Sequence, residues 1–180
     1  MNELNYSPSL VTAIKSAKSL AIQDGQSTYG AAHLAVAVLF APTGLVEVLN
    51  SLSKDIEYIK EWFEVRREVY TSNPTNDNII IADEEVEKIF NEANFNKIRL
   101  GSDYIDAFSV FIAITKPGLV YSDQQIDGLN LSEKELLKHF GLRNNQKTVT
   151  LLNDLSDGDE VKEIIEVPFC ESIYKESIIQ

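Results

Sequence analysis

Ser7-Pro8-Ser9-Leu10 and, 76 residues later, Asp83-Glu84-Glu85-Val86 open two stretches that lie over each other without a gap. Ile14 then falls on Phe90, Ala17 on Ala93, Gly25 on Gly101, Tyr29 on Ile105, Leu34 on Val110 and Val38 on Ile114. Any two amphipathic helices can be slid into register. What the slide does not supply is a helix start, a small mid-helix residue, a glycine stop and a second apolar block at one common offset. The offset therefore reads as an internal duplication, and the duplication decides the fold.

Each part of the unit has a physical reading. Ser7 and Asp83 are good N-caps, because a short side-chain oxygen accepts from the free amides of the first turn. Pro8 suits the first helical position, and Glu84 and Glu85 suit the positive end of the helix dipole. Leu10, Val11, Ile14, Ala17, Leu20 and Ala21 recur at steps of three and four, as do Val86, Ile89, Phe90, Ala93 and Lys97, so each set forms one stripe. Gly25 and Gly101 supply the left-handed turn that ends a helix without a Cβ penalty.

The blocks that follow, Leu34 to Leu39 and Phe108 with Val110 to Ile114, are apolar nearly all round and belong at the centre. Pro42-Thr43-Gly44 and Pro117-Gly118 punctuate their ends. Shorter helical patterns follow, Leu45 to Leu52 and Leu119 to Leu129. The last helix of each unit carries Ile56, Ile59, Trp62 and Phe63, or Leu136, Leu137 and Phe140. The expected fold is all-α: a pseudo-two-fold tandem repeat of two four-helix units, about eight helices, over residues 5–142. Repeat one spans 5–72 and repeat two 82–142. Asn73 to Asn78, with Pro74 inside, is the connector.

Outside the repeats, residues 143–180 read as an irregular acidic extension or linker. The last thirty residues hold eight acidic and two basic side chains, half of the net charge of -12. Over the whole chain, 180 residues with 44% hydrophobic and 24% charged side chains fit one ordinary globular domain. Its negative field repels phosphate, which excludes a nucleic-acid partner. The apolar runs from Ala31 to Ala41 and from Ala107 to Ile114 fall short of the ~20 residues a bilayer requires, so no membrane partner is expected. A single cysteine, Cys170, and an N-terminus without basic or apolar signal regions point to the cytoplasm.

These residues resemble the N-terminal double-repeat domain of the Clp AAA+ ATPases, the unfoldases and disaggregases. The resemblance runs through Ser7-Pro8-Ser9-Leu10, Ala17-Lys18-Ser19-Leu20-Ala21, Gly25 and Tyr29-Gly30-Ala31-Ala32-His33-Leu34, and it is specific because of their order and duplication. It implies an all-helical, non-catalytic docking module for a client protein or adaptor peptide, carried above a hexameric ATPase ring when part of a longer chain. No Gly-x-x-x-x-Gly-Lys-Ser/Thr run occurs in the 180 residues, so no ATP hydrolysis is expected from them. A stand-alone interaction protein of the same fold is the alternative, and an unrelated helical enzyme is the third reading.

Relatives that bind phosphorylated arginine carry a glutamate just before the His-Leu pair and at its counterpart in the second repeat. Here those positions are Ala32 and Phe108, which cannot pair with a cation, so that specificity is not carried over. With Tyr29 they form the expected protein-binding positions, on a face that accepts an apolar helix or hydrophobic peptide, as in the branch that disassembles type VI secretion sheaths. The bland alternative is that Phe108 faces the core. His33, in an apolar helix, reads as a hydrogen-bonded structural histidine. His139, on an exposed-looking helix, is not read as a metal ligand, and Cys170, in acidic surroundings with no paired histidine nearby, is expected to be a poor nucleophile. No catalytic, metal or cofactor site is expected.

Overall fold

Serine and aspartate caps start the two long helices where expected. In the computed structural model, which describes residues 5–69 and 79–139, Ser7 Oγ accepts from the Leu10 amide at 3.2 Å to open α1, Pro8–Gln23. In chain order β1 (Thr28–Tyr29), α2 (Ala31–Phe40), α3 (Leu45–Ser51), α4 (Ile56–Glu68), β2 (Ile81–Ala82) and α5 (Glu84–Arg99) come next, then α6 (Ala107–Ile114), α7 (Asp123–Leu129) and α8, residues 133–139. Asp83 caps α5 as Ser7 caps α1, its Oδ1 accepting from the Val86 amide at 2.9 Å. The chain divides into two units, Met1–Asn144 and Asn145–Gln180, and every described residue belongs to the first.

The repeat offset holds to the residue for the first two helices of each unit: α1 and α5 start 76 apart, and so do α2 and α6. Glycines at φ +70° (Gly25) and +64° (Gly101) reverse the chain after α1 and α5. Both central helices are apolar around their circumference and accordingly buried, α2 from Ala31 to Leu39 and α6 at all but Phe108. Each is closed at its start by a side chain three residues inside. His33 Nδ1 accepts from the Gly30 amide at 3.2 Å, and Ser109 Oγ accepts from the Asp106 amide at 2.9 Å. His33 and Ser109 occupy the same repeat position with different chemistry.

Two short parallel pairings sew the halves together reciprocally. β1 pairs with β2, Thr28 opposite Ile81 and Tyr29 opposite Ala82, while Tyr6 bridges Ile105. The Ser7 amide donates to the Ile105 carbonyl (2.9 Å), and its repeat counterpart, the Asp83 amide, donates to the Tyr29 carbonyl (3.2 Å). The lead-in to each repeat's first helix thus pairs with the segment after the glycine turn of the other, giving a pseudo-two-fold.

The structure corrects two details of the sequence reading. The α5 stripe continues through Asn96, fully buried with its Nδ2 donating to the Ser109 carbonyl (3.3 Å), and not through Lys97. Leu119 to Ser122 form a turn in which the Gly118 amide donates to the Tyr121 carbonyl (2.8 Å), so α7 starts only at Asp123, after a Ser122 cap. That turn shifts the register: α3 and α7 start 78 apart, α4 and α8 77 apart. Phe140, the Asn73–Asn78 connector and the extension at 143–180, including Cys170, lie outside the described residues. Among the described residues no single helix is long and apolar enough to cross a membrane.

Candidate functional site: the groove between the repeats

α4 builds one wall of the site. Asp55 Oδ1 caps it by accepting from the Tyr58 amide at 3.0 Å, and Arg66 and Arg67 in the last turn complement the negative end of the dipole. Ile59, Trp62 and Phe63 form its buried stripe. Trp62 and Phe63 reach across the repeat boundary. The ring of Trp62 meets that of Tyr121 edge-on at 5.0 Å, and Phe63 lies 6.1 Å from both Phe111 and Tyr121. Edge-to-face pairs at such distances add to the area they bury.

One turn beyond Trp62, the Arg66 guanidinium lies over the Trp62 ring, 3.1 Å from its centroid and 5.9 Å from that of Tyr121. Its terminal nitrogen donates to the Trp62 carbonyl at 2.9 Å, while Arg66 Nε is buried without a hydrogen-bond partner. Around this stack opens a groove of about 660 Å³. Val65, Arg66 and Val69 line it from the first repeat, and Glu85, Val120, Tyr121 and Gln125 from the second. Val65 and Val69 are 52% and 76% exposed, one turn apart on the same face. Burial raises the Tyr121 phenol far above its ordinary value, so it stays a neutral hydroxyl at any physiological pH.

None of the three positions read from sequence lines this groove. Tyr29 is 4% exposed, its phenol pushed up to about 12 mainly by burial, and Ala32 is fully buried. Phe108 is half-buried; it packs against the core with its ring tip 3.6 Å from where a Cβ on Gly44 would stand. The groove residues were missed because they come from four separate segments. The one local signal was Trp62 followed four residues later by Arg66, a spacing that stacks a guanidinium on an indole.

A smaller groove of about 370 Å³ runs between α1 and α2, bordered by Thr12, Ser16, Ser19 and Phe40. At the counterpart positions of Ser16 and Phe40 in the second repeat stand Glu92 and Lys116, which form a 2.8 Å ion pair. Among the described residues no cluster of three or more His, Cys, Asp or Glu side chains is placed to hold a metal.

The sequence model of the Clp repeat (R) N-terminal domain matches residues 5–120. The chain belongs to that family. No curated protein sequence matches it, but solved structures do, with the Clp N-terminal fold in common. The N-terminal domain (residues 1–163) of the ClpV1 ATPase from the Sci1 type VI secretion system of E. coli EAEC superimposes with a TM-score of 0.61 at 18% identity, covering 87% of this chain and 92% of that one. A chain in a structure described as a peptide from the SciI protein of the same system scores 0.62 at 19% identity, over 87% and 95%. The Hsp104 N-terminal domain from Candida albicans scores 0.59 at 15% identity, over 76% and 89%. At these identities the likeness establishes the fold of this Clp N-terminal domain.

Proposed function

We propose that this Clp N-terminal domain is a non-catalytic docking domain for an ATP-dependent unfoldase or disaggregase, and that it holds a client peptide or helix in the groove between its repeats. The observation that carries this is the groove itself: an aromatic and arginine floor, Trp62, Arg66 and Tyr121, beside the exposed valines Val65 and Val69. Aromatic and arginine side chains in a cleft are the groups that anchor most protein contacts. Family membership supports the reading, as does a similar structure described as a peptide from a secretion-system protein. The docking body comprises residues 5–142, as repeats 5–72 and 82–142, and the acidic stretch 143–180 serves as its linker. Single-site binding is weak, and six copies on a hexameric ring would raise the effective concentration enough for capture.

Amphipathic peptides with apolar anchors at i, i+3, i+4 and i+7 test this directly, because the sole tryptophan, Trp62, lies under the groove and reports occupancy by its fluorescence. Val69→Glu, at an exposed position outside the core, is expected to weaken binding about tenfold, ~1.4 kcal/mol, with unchanged thermal stability. Unaltered affinity would remove the groove from the reading. Of the positions read from sequence, Phe108 alone keeps exposed ring surface, and we include it as a further contact. Phe108→Glu should weaken binding while helical content is retained.

A further inference from the structure

The groove holds an arginine that no described acidic residue pairs with. Among the described residues Arg66 makes no ion pair, its one hydrogen bond is to the neutral Trp62 carbonyl, and its buried Nε has no hydrogen-bond partner. The adjacent Arg67 is, by contrast, paired through Nε with Asp24 at 3.0 Å. In a chain of net charge -12 with 28 acidic residues, a cation in the floor of a groove that pairs with no described acid is a departure from the surrounding electrostatics. The stack on Trp62 fixes the guanidinium plane, and the same burial that costs Arg66 hydration lowers its pKa without neutralising it. A fixed, partly desolvated guanidinium is the group best suited to a carboxylate, which it grips through two parallel hydrogen bonds.

We propose that the groove selects client segments carrying a side-chain carboxylate flanked by apolar residues, with Arg66 as the specificity-determining contact. This rests on the groove being the docking site. A side chain, and not a chain terminus, is the occupant because the valines that flank Arg66 in sequence, Val65 and Val69, line the same wall of the groove. A client therefore has apolar contacts to make before and after its acid. The carboxylate already in the groove does not pre-empt the site. Glu85 lines the groove from the second repeat without forming an ion pair to Arg66; its field adds to the burial that raises the Tyr121 phenol, and it is engaged in an interaction of its own. The Tyr121 hydroxyl, kept protonated, and the Gln125 amide line the groove beside Arg66 and supply neutral donors of the kind a carboxylate accepts from. Long-range repulsion from the acidic surface does not decide the matter, because at physiological salt it is screened beyond about 8 Å, whereas the contact pair is not.

The test uses matched amphipathic peptides that differ at one central position, Glu in one, Gln in its twin and Lys in a third, titrated into the whole chain and followed by Trp62 fluorescence. The Glu peptide is expected to bind about tenfold more tightly than the Gln twin, ~1.4 kcal/mol, with the Lys peptide weakest. In Arg66→Gln the advantage of Glu over Gln should vanish, whatever the variant does to the affinity that the two peptides share. Arg66→Lys should restore part of it, since charge returns without the two-pronged geometry. Circular dichroism melts identify any variant that fails to fold, and the wild-type peptide series decides the matter without them. Equal binding of the Glu and Gln peptides to the wild type would overturn the carboxylate selectivity and leave the docking groove standing. No binding by any of the three would overturn both.

Discussion

His33 is the residue on which most of the first repeat converges. It is fully buried, and because Nδ1 accepts from the Gly30 amide, the proton of the neutral ring sits on Nε2, facing Asp24 Oδ2 at 3.2 Å. Arg67 Nε approaches the same oxygen at 3.0 Å, so one carboxylate ties the end of α1 to the start of α2 and the end of α4. Burial drives the His33 pKa below its ordinary 6.5, and the Arg67 charge pushes the same way against the opposing pull of Asp24 and the more distant Asp83. The unfolded chain therefore takes up a proton at a higher pH than the folded one. Stability from neutral His33 is fully present above about pH 6.5 and is lost as pH falls through the lower folded value. Urea titrations at pH 7.5 and pH 6 should show the wild type less stable at the lower pH, with a smaller difference in His33→Gln, whose side-chain oxygen can still cap Gly30. The structural role of this histidine was legible in the sequence from its apolar helix. Its partners were not, since Asp24 and Arg67 come from other elements.

At the scale of elements, the helix ends carry the repeat. The caps at Ser7 and Asp83 and the left-handed glycines depend on residues a few positions apart, which is why they could be read directly. Asp83→Ala removes the acceptor for the Val86 amide at the start of α5 and should lower stability by about 1 kcal/mol in urea unfolding. Gly25→Ala meets no atom within 4 Å, so its expected cost of ~1–2 kcal/mol comes from forcing φ +70° on a residue with a Cβ. A markedly larger loss would mean that the turn does more than reverse the chain. The phase of a stripe is less local. Lys97 fits the helical spacing of α5 as well as Asn96 does, and the choice fell to Asn96 because its amide meets the Ser109 carbonyl of α6.

For the whole molecule, the reciprocal pairings make each half depend on the other. Tyr6 needs Ile105, Tyr29 needs Ala82, and the central helices α2 and α6 bury their apolar surfaces within one continuous core. Calorimetry should therefore show a single transition for residues 5–139, with calorimetric and van't Hoff enthalpies equal. Residues 5–69 and 79–139 prepared separately should lack a cooperative melt, since about 60 residues bury too little surface alone when half of that surface belongs against the partner repeat. An independent melt in either piece would show that the halves are separate domains in one chain. The sequence by itself determined the duplication, the helix starts and stops and the two central helices, because these are written in spacings of one to four residues and in a single offset. Only the tertiary structure decided that Tyr29 and Ala32 are buried, that the two lead-in segments cross to the opposite repeat, and that Arg66 stacks on Trp62 in a groove lined by both halves. Those depend on how helices far apart in the chain are angled and packed, and nothing within one turn of sequence specifies that.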